Sequence, residues 1–188
     1  RVGGDFVADY NLHTAILGVT GSGKTELAFE MIRHSLSKGI KVICIDLTAQ
    51  YKHRLIDLNP VDLSIEGNTA NELEQKLFAV DTGKFGAPDE KKALGGFAET
   101  LRTQILESVE GFLKEENGSG LGMIRLEEIS NTKATLWITE LYMTCLLKYS
   151  RENSATFPKT LVVVEEAHTV MPEASTMTPR SRSCWISR

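Results

Sequence analysis

Thr14-Ala15-Ile16-Leu17-Gly18-Val19-Thr20-Gly21-Ser22-Gly23-Lys24-Thr25 is the stretch whose reading decides the fold. Thr14 to Gly18 form a short apolar run that suits a buried strand. Gly18 to Thr25 fit the spacing G-x-x-x-x-G-K-[ST] of a phosphate-binding loop. From Lys24 onward, apolar or small residues recur at Leu27, Ala28, Met31, Ile32, Ser35 and Leu36, which is helical spacing. Gly39 supplies a C-terminal stop. Ile40-Lys41-Val42-Ile43-Cys44-Ile45-Asp46 is then a second buried strand with an acid at its carboxyl end. Strand, glycine loop, helix and strand make one βαβ unit, so the expected class is α/β with a mostly parallel sheet flanked by helices.

Outward from that unit, residues 54–120 are more polar and read as a mostly helical insertion. Thr69 with Glu72 forms a capping box ahead of Leu73, Leu77 and Val80. Asp81 to Gly96 reads as an exposed connection. Phe97, Leu101, Ile105, Val109, Phe112 and Leu113 mark an amphipathic helix that ends in the loop Glu115-Glu116-Asn117-Gly118-Ser119-Gly120. Gly122 to Leu126 is a candidate third strand. Lys133 to Arg151 is a helix apolar on most sides, to be wedged between the sheet and another layer or against a neighbouring subunit. The whole chain, 1–188, is expected to be a single partial domain, with an irregular tail at 173–188.

The glycine loop has a chemical reason. Triphosphate oxygens need several donors converging from one side, and successive backbone N–H groups around Gly18, Val19, Thr20, Gly21, Ser22 and Gly23 supply them. Gly21 and Gly23 permit backbone angles and a close approach that a Cβ would block. The helix beginning near Lys24 adds the positive end of its dipole. Lys24 is expected to reach the β- and γ-phosphates, and the Thr25 hydroxyl to ligate Mg²⁺.

A second segment completes the site. Leu161-Val162-Val163-Val164 is an apolar strand that ends in Glu165 and Glu166. A carboxylate at a buried strand end is costly without a cation or donors, and two in a row oppose each other. Alternation along the strand points them in different directions. Glu165 is expected to face Mg²⁺ through water, with Glu166 as the base that positions the attacking water. Asp46 can face the nucleotide or simply cap a helix, and His168 can sense the γ-phosphate or hold a loop. ATP and Mg²⁺ are the cofactors this constellation requires.

Bulk properties narrow the class further. With 41% apolar and 24% charged residues in 188, the chain can bury a core. A net charge of −4 argues against coating nucleic acid by bulk attraction, though not against a local basic groove. Cys44, Cys145 and Cys184 lack metal spacing, which suits a reducing, cytoplasmic setting. No apolar run approaches the roughly 18 residues of a membrane span. A GTPase would need a guanine-reading Asn-Lys-x-Asp, and Asn131-Thr132-Lys133-Ala134 has neither the order nor the acid. A small-molecule kinase would need an arginine-rich lid that Arg102, Arg125 and Arg151 do not form.

Gly18 to Thr25 together with Val163-Val164-Glu165-Glu166-Ala167-His168 resembles the HerA branch of the HerA/FtsK P-loop ATPases. Pro172 after the acids, Ile124-Arg125-Leu126 leading into the 133–151 helix, and Ile45-Asp46 followed by Tyr51 extend the resemblance. It implies a RecA-like sheet, a hexameric ring with nucleotide at subunit interfaces, and ATP-driven movement on double-stranded DNA. It also implies a partner such as a NurA-like nuclease or, in bacterial relatives, another effector in defence against phage. An ATP-gated scaffold without motor activity is the alternative. Carried onto this chain, Lys24 and Thr25 are the loop pair, Glu165 the metal-side acid and Glu166 the catalytic base. Relatives carry a small β-barrel before the loop, and a Gly-Arg-Lys helix, a sensor strand and an arginine finger after Pro172. Here Thr178-Pro179-Arg180-Ser181-Arg182-Ser183-Cys184-Trp185-Ile186-Ser187-Arg188 stands instead. The expectation is a chain truncated at both ends that hydrolyses ATP poorly alone.

Overall fold

The computed structural model describes residues 15–17, 21–116 and 118–167. Four strands, β1 (Lys41–Asp46), β2 (Val61–Asp62), β3 (Leu121–Arg125) and β4 (Thr160–Val164), form one sheet in the order β2-β3-β1-β4. Every pairing is parallel, with Ile45 opposite both Ile124 and Val164. Parallel strands need crossovers: α2 (Gln50–Arg54) lies between β1 and β2, α3 (Gly67–Thr82) and α4 (Pro88–Lys114) between β2 and β3, and α5 (Thr132–Glu152) between β3 and β4, while α1 (Lys24–Ser37) precedes β1.

Alternation along β1 explains why both faces are covered. Ile43 and Ile45 point into a core with Ile124, Leu126 and the inner faces of α3, α4 and α5. Val42 and Cys44 point the other way, into a second core with Leu121, Met123, Phe29, Ile32 and Tyr51. A strand buried on both sides must be apolar throughout, and β1 is buried from Val42 to Asp46. Fully burying each such aliphatic side chain is worth about 1.5–3 kcal/mol, so β1 anchors the sheet. α5 is wedged as its composition requires, with Ile138, Leu141, Tyr142 and Cys145 in the first core and the Tyr142 hydroxyl donating to the Leu63 carbonyl at 2.5 Å.

Three expectations are corrected. Ala15–Leu17 form no strand, and Leu17 is 89% exposed. So short an apolar run does not dictate pairing; of these three residues only Ile16 packs, alongside Leu161 and Val163 against the core of Phe29, Val42 and Cys44. Thr69 does not cap α3, because the helix already begins at Gly67 with Glu66 in extended backbone before it. The segment 81–96 is mostly helical rather than an open connection. Pro88 opens α4, where its fixed φ and missing N–H cost nothing, and Gly95 and Gly96 lie inside that helix. Gly18, Asn117, His168, Pro172 and the 173–188 tail fall outside the described residues.

Candidate nucleotide site at the carboxyl edge of the sheet

α1 runs back along the sheet to Gly39, which has φ 71° and leads into β1. Its N-terminus therefore lies toward the carboxyl ends of the strands. Two contacts fix it there. Phe29 packs edge-on against Tyr51, with ring centroids 5.0 Å apart, and Glu26 pairs with Arg54 of α2 at 2.8 Å. Of the glycine loop, Gly21, Ser22 and Gly23 are described, while Gly18, Val19 and Thr20 lie outside the described residues. Gly21 and Gly23 have φ of 79° and 87°, the left-handed region where a side chain is strained. A Cβ built at either would meet nothing within 4 Å, so space is open against the backbone there. The N-cap of α1 is Gly23, which has no side chain to cap the first turn, and the helix starts with the half-buried Lys24 and Thr25.

The acids meet at the ends of β1 and β4. β4 stops at Val164, so Glu165 and Glu166 lie in a turn rather than on the alternating strand. The Glu165 N–H still donates to the Ile45 carbonyl at 3.2 Å, which extends the ladder by one bond. Glu165 is consequently buried, while Glu166, at φ 45°, turns outward and is exposed. A left-handed glutamate costs on the order of 1–3 kcal/mol and persists only where its surroundings impose it. The separation of the two carboxylates comes from this turn.

Thr48 and Asp46 hold the buried acid. Thr48 Oγ1 donates to Glu165 Oε2 at 2.6 Å. Asp46, fully buried, accepts from the Thr48 N–H and the Lys52 N–H, each at 3.1 Å, so it ties the β1–α2 turn as a helix-capping acid does. Burial above all, then the neighbouring Asp46 and Glu166, push the Glu165 carboxyl up to about 7, against the downward pull of the Thr48 hydrogen bond. Burial first, and then Glu165 among the nearby charges, pushes up the Tyr51 hydroxyl, while burial followed by Asp46 and Glu165 pushes up the Cys44 thiol.

Glu166 also lines a cleft of about 410 Å³ with Thr48, Glu127, Ser130, Thr132 and Thr135. Lys24 and Thr25 are not among the residues lining it. Glu127 places one carboxylate oxygen out of solvent with no hydrogen-bond partner among the described residues. Thr48 and Glu127 were not singled out by the motifs. A threonine two residues beyond a strand-ending Asp is the only trace Thr48 leaves in the sequence.

The two groups expected from the sequence to face a metal, the Thr25 hydroxyl and the Glu165 carboxylate, are both hard oxygen donors. Among the described residues, no group of three or more His, Cys, Asp or Glu could hold a metal alone. A cation here would need water and phosphate oxygens to complete its shell, as Mg²⁺ does at nucleotide sites. No helix among the described residues is long and apolar enough to cross a membrane.

Residues 5–78 match the family model described as "Helicase HerA, central domain". That interval takes in the glycine loop, α1, β1 and the Thr48 turn, and it stops within α3. No curated protein and no solved structure matches the chain.

Proposed function

We propose that the chain, whose residues 5–78 match the HerA central-domain model, is a HerA-like P-loop ATPase that binds ATP with Mg²⁺ and hydrolyses it to drive movement on double-stranded DNA. The observation that supports the ATPase chemistry is the different placement of the two adjacent acids. Glu165 is buried and hydrogen-bonded, and Glu166 is turned outward at the same carboxyl edge that receives the N-terminus of α1. Ligands of open parallel sheets bind at that edge.

In this reading the backbone of residues 18–23 cradles the phosphates and Lys24 neutralises the β- and γ-phosphate charge. Thr25 and Glu165 would hold Mg²⁺, which would supply charge to offset that on the phosphate oxygens. Glu166 accepts the proton of the attacking water. Its exposed, left-handed position supports this role, because backbone strain of that kind is retained at working sites. The ring form, hexameric as in the HerA branch, and a nuclease or other effector partner belong to the same proposal and rest on family likeness.

The experiment is ATP turnover with and without linear duplex DNA, with Glu166→Gln as the blank. Several-fold stimulation by DNA that disappears in the blank is the expected result. Turnover indifferent to DNA would remove the motor and leave an ATP-gated scaffold.

A further inference from the structure

We propose that Thr48 is a positioning residue for the metal-side carboxylate, an inference that rests on the reading of Glu165 given above. The Glu165 backbone is pinned by its N–H bond to Ile45, but a glutamate side chain retains rotamer freedom beyond Cα. The 2.6 Å bond from Thr48 Oγ1 to Oε2 removes it by fixing one of the two carboxylate oxygens. Thr48 can do this because it is itself held. Its N–H donates to Asp46 Oδ1, Asp46 also accepts from Lys52 N–H, and Ala49 at φ 62° closes the turn into α2.

The chemistry of the donor matters as much as its place. A lysine or arginine at this position would orient the carboxylate and also cancel the charge that attracts Mg²⁺. A hydroxyl orients it without adding a positive charge of its own, while Asp46 stands on the carboxyl as a second neighbour. Thr48 also lines the cleft beside Glu166, so one side chain borders both acids. Its role is to set the orientation of Glu165 before metal arrives, which lowers the reorganisation that binding requires.

The test is an Mn²⁺ titration read by the electron paramagnetic resonance of the free ion, with a saturating non-hydrolysable ATP analogue. Parent, Thr48→Val, Thr48→Ser and Glu165→Gln are compared. Thr48→Val is expected to weaken Mn²⁺ binding by on the order of tenfold, with Thr48→Ser returning to within roughly threefold of the parent. Nucleotide affinity measured without metal should be the same in all four. Parent-like Mn²⁺ affinity in Thr48→Val, alongside a clear loss in Glu165→Gln, would overturn the role of Thr48 and leave that of Glu165 standing. Parent-like affinity in Glu165→Gln would instead overturn the metal-side reading, and this inference with it. A serine variant as weak as valine would show that packing rather than the hydroxyl matters, which also overturns the proposal. If valine prevents folding, Thr48→Ala is titrated in its place against the same criteria.

Discussion

Lys24 stands at the first position of α1, directly after a left-handed glycine, where a cation is unfavourable to the helix dipole unless an anion sits beyond it. Replacing it with alanine removes a charge-assisted contact worth about 1.5–3 kcal/mol, so ATP affinity in a direct titration should fall by roughly ten- to a hundred-fold. Unchanged affinity would take the glycine loop out of the account. Glu165 gives a second residue-scale prediction. Its carboxyl is raised from 4.5 to about 7 in the folded protein, so the folded state binds its proton more tightly than the unfolded chain does. The associated stability is complete below pH 4.5 and is lost as pH rises through about 7. In metal-free protein, the difference between parent and Glu165→Gln should therefore shift with pH across that window, by on the order of 1–3 kcal/mol. A difference that is flat with pH in chemical denaturation would contradict it.

At the scale of elements, α5 carries the clearest test. Asn131 caps it, its side-chain oxygen accepting from the N–H groups of Lys133 at 2.9 Å and Ala134 at 3.3 Å. Asn131→Ala should cost about 0.5–2 kcal/mol in denaturant unfolding, and Asn131→Ser should restore most of it. The elements legible in the sequence were those with a regular apolar pattern, continuous in β1 and helically spaced in α1 and α5. β1, α1 and α5 show their apolar pattern and their stops, and each was placed to within a residue or two. β2 was not, because Val61–Asp62 is too short to display any period; it exists through its pairing with β3. The start of α4 was missed because Pro88, with the glycines that follow, looks like a breaker when it is in fact the first helical residue. Ala15–Leu17 show the opposite error, where apolar character alone suggested a strand that does not form in the described residues.

At the scale of the whole molecule, the candidate site is assembled from pieces far apart in the chain, and that decides how much of it could be read. The glycine loop and the Glu165-Glu166 pair announce themselves, because each is a local pattern with a chemical purpose. Thr48 does not, since its partner lies 117 residues away and only the parallel pairing of β1 with β4 brings them together. The outward turn of Glu166 was equally hidden, being a backbone property of one residue after a strand. The central claim is that this exposed acid activates water while the cradle beside it binds ATP independently. The most direct measurement sets turnover against equilibrium ATP binding in the same preparation of Glu166→Gln. The account predicts ATP affinity within about twofold of the parent and turnover reduced by on the order of 10²–10⁴-fold. A Glu166→Gln protein that hydrolyses ATP at the parent rate would contradict it.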